Sequence, residues 1–149
     1  MAWDVKRDGM GWVANGFLEG LEGNEGAFAN LSAIVGDKWI GTGHSRGAAE
    51  VTLYAGMMSL VKRPPMVLVP FAPPRTGQDE LTNLLAPIEN YAFENKNDPV
   101  VKVPPWCIHP YQMIDIDVPA DQNDPWGPLK NHHIELYGKA VYAMEDLVW

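Results

Sequence analysis

A junction at residues 38–60 limits the folds open to this chain more than any other feature. A short extended run, Lys38-Trp39-Ile40-Gly41-Thr42, meets the glycine-flanked turn Gly43-His44-Ser45-Arg46-Gly47, and Arg46 to Leu60, rich in Ala and Met, then reads as a helix. Strand, tight turn and helix in that order begin a β-α-β unit. Pro64 and Pro65 stop the helix, and Met66-Val67-Leu68-Val69-Pro70-Phe71 is a continuous apolar run of the kind buried on both faces of a parallel sheet. Gln78 to Leu85 predicts a short helix. Ile88 to Glu94 predicts another strand, ended by the turn residues Asn95-Lys96-Asn97-Asp98-Pro99. This alternation implies an α/β fold with a mainly parallel sheet flanked by helices.

Upstream, Gly16 to Val35 carries apolar residues mostly at helical spacing and predicts a helix loosened by Gly20, Gly23 and Gly26. Downstream, Tyr111 to Asp117 predicts a strand, Pro119 to Pro128 a long polar loop, and about Asn131 to Leu147 a final helix. No internal repeat or shift in composition divides the 149 residues, so one domain over 1–149 is expected. A formal charge of -8 disfavours nucleic acid and anionic membrane surfaces, since both partners are recognised by basic faces. The single cysteine, Cys107, excludes an intrachain disulfide and a thiolate metal site. No apolar stretch reads as a signal peptide or a membrane span, and a soluble, cytoplasmic protein is expected.

Gly43-His44-Ser45-Arg46-Gly47 fits the Gly-x-Ser-x-Gly pattern, in which a serine stands on a sharp turn between a strand and a helix. Glycines on both sides let strand and helix approach closely. The helix start directs free N–H groups toward the serine, so the backbone N–H of Arg46 is the expected oxyanion donor. A nucleophilic serine needs an imidazole, and the imidazole needs a carboxylate to hold its tautomer. Asp98, in the turn after a predicted strand, is the candidate acid; its alternative role is only to shape that turn. Among the histidines, His44 lies inside the elbow and is expected to shape the oxyanion region. His109 follows Asp98 closely, and His132 and His133 open the last helix, where a loop can bring one of them over the sheet. That pair is favoured over His109, with the choice between its members open.

Several blocks in order resemble the class 3, fungal-type lipases of the α/β-hydrolase fold, in particular bacterial and phage-like members. Gly16-Phe17-Leu18 is similar to the family's Gly-Phe before its long helix, and Gly43-His44-Ser45-Arg46-Gly47-Ala48 is similar to its elbow Gly-His-Ser-Leu-Gly-Gly. Phe71-Ala72-Pro73-Pro74-Arg75-Thr76-Gly77 resembles Phe-Gly-Ala-Pro-Arg-Val-Gly. Asn97-Asp98-Pro99-Val100 with Val103-Pro104-Pro105 resembles the block around the catalytic acid. His132-His133-Ile134-Glu135-Leu136-Tyr137 resembles the His-x-x-x-x-Tyr form that opens the last helix, which implies His132 as the base and leaves His133 as the alternative.

The resemblance implies ester hydrolysis by Ser45, Asp98 and His132, without metal or cofactor, on short-chain or lipid esters. The family's upstream strand ending in Phe-Arg-Gly-Thr or Ser, and the lid after it, are not visible in this chain. Arg46 and Ala48 also replace the elbow's usual Leu and Gly. A truncated α/β-hydrolase fold is therefore expected, with the second oxyanion donor supplied from elsewhere. The rival expectation is an incomplete or inactive relative that acts as a binding module, or as the C-terminal half of a split or oligomeric hydrolase completed by a homo-oligomer or an N-terminal partner chain. A Ca²⁺ site at Asp115, Asp117, Asp121, Asn123 and Asp124 is disfavoured against a solvated acidic loop, because no Gly or bidentate Glu stands at loop spacing.

Overall fold

The computed structural model describes residues 4–23, 36, 38–120 and 125–145. Its centre is a parallel sheet built on β3 (Ile40–His44), β4 (Val67–Phe71), β6 (Ala92–Asn95) and β7 (Met113–Ile116), in that order, with the two-residue β5 (Glu89–Asn90) also paired to β4. The run 88–94 is thus a strand in two pieces. Tyr91 separates them and gives its N–H to the Leu68 carbonyl at 2.8 Å, and pairing resumes where Phe71 stands opposite Phe93.

Alternation along β4 divides the core. Leu68 faces one side, where it joins Leu18 and Leu21 of α1 (Asn15–Gly23), Leu53, Tyr54 and Met58 of α2 (Arg46–Leu60), and Leu81 and Leu85 of α3 (Asp79–Leu85). Val69 and Phe71 pack on the other side with Phe93, Ile116, and Tyr137 and Ala140 of α4 (Ile134–Glu145). Side chains of successive strand residues point to opposite faces, so one apolar run supplies both cores. Phe71 and Phe93 stack with ring centroids 5.3 Å apart.

The predicted helix Arg46–Leu60 is present with those bounds, and the strand after it begins one residue late, at Val67. Three boundaries differ more. β3 is displaced by two residues, to Ile40–His44, because its parallel register with β4 continues through Gly43↔Pro70 and His44↔Phe71. The helix from Gly16 is described only to Gly23, and the remainder of that prediction lies outside the described residues. The last helix begins at Ile134, preceded by a 3-10 helix at Gly127–His132. An antiparallel hairpin, β1 (Asp4–Arg7) with β2 (Gly11–Ala14), is an addition to the predicted elements. Its turn passes through Gly9 and Gly11 at φ 78 and 71, the left-handed region that glycine enters without cost from a Cβ.

Gly43 is where strand and helix come closest. A Cβ there would stand 2.5 Å from the Gly47 carbonyl oxygen and 2.8 Å from the Ala48 nitrogen, both backbone atoms with little freedom to yield. Gly47 differs, since a Cβ there would meet nothing within 4 Å. The close approach expected of both glycines is a property of Gly43 alone. Gly43→Ala should therefore lower the unfolding free energy by about 1–3 kcal/mol, the usual cost of overpacking, in urea titrations, while Gly47→Ala costs less.

Candidate active site

Ser45 stands between β3 and α2 at φ 58 and ψ -127, a conformation that costs a residue bearing a Cβ about 1–3 kcal/mol. The surroundings hold it there. Its N–H donates to the Phe71 carbonyl at 3.0 Å, and its own carbonyl accepts from the N–H groups of Ala48 and Ala49 at 3.0 and 3.2 Å. The side chain of Arg46 binds Glu50 at 2.7 Å, one turn along the helix, and lies close over Gly20 of α1. Its backbone N–H belongs to the first turn of α2, where no earlier helical carbonyl exists to accept it.

The Ser45 hydroxyl lies 2.7 Å from His132 Nε2, and His132 Nδ1 lies 2.8 Å from Asp98 Oδ2. A carboxylate accepts, so Nδ1 carries the proton and Nε2 of the neutral ring offers its lone pair to the serine O–H. Asp98 is fully buried in the turn after β6, where its N–H donates to the Asn95 carbonyl at 2.9 Å. Two further donors hold its carboxylate: the Tyr137 O–H to Oδ2 at 2.7 Å and the Val100 N–H to Oδ1 at 2.9 Å. The Tyr137 oxygen in turn accepts the Asn95 N–H at 2.9 Å. Burial, followed by the bond to Asp98, pushes the Tyr137 phenol above its ordinary range, so it stays a donor. The sequence places Tyr137 in a recognisable block but assigns it no task. Only the fold brings it against a carboxylate 39 residues away.

His44 reaches the segment of His132. Its Nε2–H donates to the backbone carbonyl of His132 at 2.9 Å, and the two rings lie 4.7 Å apart, so it braces the segment that carries the imidazole. Burial, then the neighbouring His132, pulls its pKa below the ordinary 6.5. His109 points elsewhere, with Nε2–H on the Val101 carbonyl at 2.7 Å, and burial lowers its pKa as well. His133 stands edge-on to Trp126 at 5.5 Å; the bonds to Ser45 and Asp98 belong to its neighbour His132.

Cys107 is buried, and burial together with the nearby Asp4 pushes its thiol up to about 12, so it is no rival nucleophile. Of the acidic residues considered for Ca²⁺, Asp115 lies opposite Glu94 in the β6–β7 register and Asp117 pairs with Lys96 at 3.2 Å. Asp121, Asn123 and Asp124 lie outside the described residues. Among the described residues no three His, Cys, Asp or Glu side chains gather as a metal site would require.

A family model described as lipase (class 3) matches residues 5–107. No curated protein matches the chain. Among solved structures, a mutant form of MDLA from Penicillium cyclopium is similar with a TM-score of 0.67 and 26% identity, over 79% of this chain and 48% of that one. A structure from a family of fungal lipases is similar with a TM-score of 0.64 and 27% identity, over 74% and 44%. The mono- and diacylglycerol lipase from Aspergillus oryzae, at 23% identity and a TM-score of 0.63 over 74% and 44%, shares the fold. This chain spans about half the length of these structures.

Tyr137→Phe removes one donor from a buried carboxylate and leaves the Asn95 N–H without its acceptor. It should cost about 1–3 kcal/mol in urea unfolding, and a loss below about 0.5 kcal/mol would contradict this role. The two lowered histidines set a pH dependence. Between their lowered folded values and 6.5 the unfolded chain binds protons that the folded chain refuses. Their contribution is complete above pH 6.5 and is lost as pH falls from 6.5 toward the folded values. Urea midpoints taken between pH 7.5 and 5.5 should fall with pH, and the fall should be smaller in His44→Asn and in His109→Asn.

Proposed function

This chain belongs to the class 3 lipase family, and on that premise we propose that it hydrolyses carboxylic esters with Ser45 as nucleophile, His132 as acid and base, and Asp98 as the group that orients His132. One observation carries this assignment: the continuous hydrogen-bond relay from the Ser45 hydroxyl through the His132 ring to a buried Asp98. In the first half-reaction Ser45 Oγ attacks the ester carbonyl carbon while its proton passes to His132 Nε2. The carbonyl oxygen becomes an oxyanion, and the first-turn N–H of Arg46 donates to it. Collapse breaks the bond to the alcohol oxygen, His132 returns the proton to that oxygen, and an acyl-serine remains. Water then attacks the acyl carbon with His132 again as base, which releases the acid and restores the serine.

Asp98 enters neither bond change. It fixes the tautomer that leaves Nε2 free to accept, and it stabilises the imidazolium formed in each half-reaction. The strained backbone of Ser45 sets its hydroxyl beside the imidazole that takes its proton, at the start of the helix whose N–H groups meet the oxyanion.

A fluorophosphonate probe should label the wild-type protein and fail to label Ser45→Ala. On p-nitrophenyl acyl esters, Ser45→Ala and His132→Ala should each lose about 10⁶-fold in kcat, and Asp98→Asn about 10⁴-fold, as expected when the imidazole takes the wrong tautomer. Equal labelling of wild type and Ser45→Ala would overturn the assignment.

A further inference from the structure

We propose that a pocket bounded by Trp126, Leu129, His132 and His133 is the leaving-group subsite, and that it takes a short unbranched alkyl chain borne on the alcohol oxygen of the ester. The proposal rests on the hydrolase assignment of Ser45, Asp98 and His132. The pocket follows from the local helix type. Gly127–His132 is a 3-10 helix, with three residues per turn, so side chains three apart eclipse one another. Trp126 at its cap, Leu129 and His132 therefore fall on one stripe that ends on the imidazole. Together with His133, whose ring meets the Trp126 indole edge-on at 5.5 Å, they line an open surface pocket of about 210 Å³.

Trp126 and Leu129 are 62% and 41% exposed. Each lines this space with an apolar side chain. At about 30 Å³ for each water-sized group, the volume holds about seven such groups, or a chain of about four to six carbons.

The stripe selects the alcohol side of the substrate rather than the acyl side. His132 Nε2 takes the proton from Ser45 Oγ and delivers it to the departing oxygen, so that oxygen must come within hydrogen-bond reach of the ring. The substituent on that oxygen begins beside His132, which lines the pocket together with Leu129 and Trp126. The acyl carbon is bonded to Ser45, and its oxygen turns toward the Arg46 N–H. The alcohol leaves in the first half-reaction, so the pocket acts on acylation and has no part in deacylation.

The test compares two ester series on the whole chain, with every rate normalised to the fraction of Ser45 labelled by a fluorophosphonate, so that misfolded protein is not counted. In acetate esters from methyl to hexyl, kcat/KM should rise about threefold per methylene up to about five carbons and then level. In methyl esters of lengthening acids it should change far less. Leu129→Trp, which fills the pocket, should lower the ratio of pentyl to methyl acetate at least tenfold, and Trp126→Ala should flatten the rise. A dependence on acyl length in place of alcohol length, or a ratio unmoved by both substitutions, overturns the subsite and leaves the hydrolase assignment standing. A wild-type chain that neither labels nor turns over any ester overturns both.

Discussion

A carboxylate withdrawn from water costs several kcal/mol unless hydrogen bonds replace its hydration, and Asp98 sits at zero exposure. Its compensation comes from three separate places: the imidazole of His132 at the end of the 3-10 helix, the phenol of Tyr137 on α4, and the backbone N–H of Val100 two residues on. Because these donors are the means by which a buried charge is tolerated, the last part of the described chain is held against the end of β6. Tyr137 binds this corner twice, since its oxygen also takes the Asn95 N–H. The orientation of His132 is therefore a by-product of satisfying Asp98.

The second requirement is steric. Ser45 and Asp98 both follow the carboxyl ends of parallel strands, β3 and β6, which is the edge where open α/β sheets bind ligands. A serine at positive φ would relax if it could, and three backbone hydrogen bonds, one to β4 and two within the first turn of α2, prevent it. Gly43 completes the arrangement by letting the Gly47 carbonyl approach to a distance no Cβ would allow. His44 ties the two requirements together, because a residue of the elbow donates to the backbone of the base.

Much of this could be seen in the sequence where two signals coincided. The helix from Arg46 to Leu60 has a motif at its start and Pro64 and Pro65 after its end, and the apolar strand that follows is continuous. Ser45, Asp98 and His132 stand in blocks whose order restricts their roles. The hairpin at the amino end was harder to see, because Asp4-Val5-Lys6-Arg7 has a single apolar residue, and only Asp8-Gly9 hints at the turn. The break at Tyr91 left no trace in a run that reads as one strand. The bond made by His44 could not be read from the sequence, since its partner is a carbonyl 88 residues away and no local pattern encodes that contact. Between His132 and His133 the helical pattern alone left the choice open, and the bonds to Ser45 and Asp98 belong to His132.

The relay from Ser45 to His132 spans 87 residues and that from His132 to Asp98 spans 34. Closing loops of this length costs chain entropy that only the finished contacts offset. The geometry of the site therefore depends on contacts between segments far apart in the chain. A local opening of α4 that releases Tyr137 would silence the site while β3, β4 and β6 stayed paired. The integrity of the Ser45–His132–Asp98 relay thus reports on the completion of the topology.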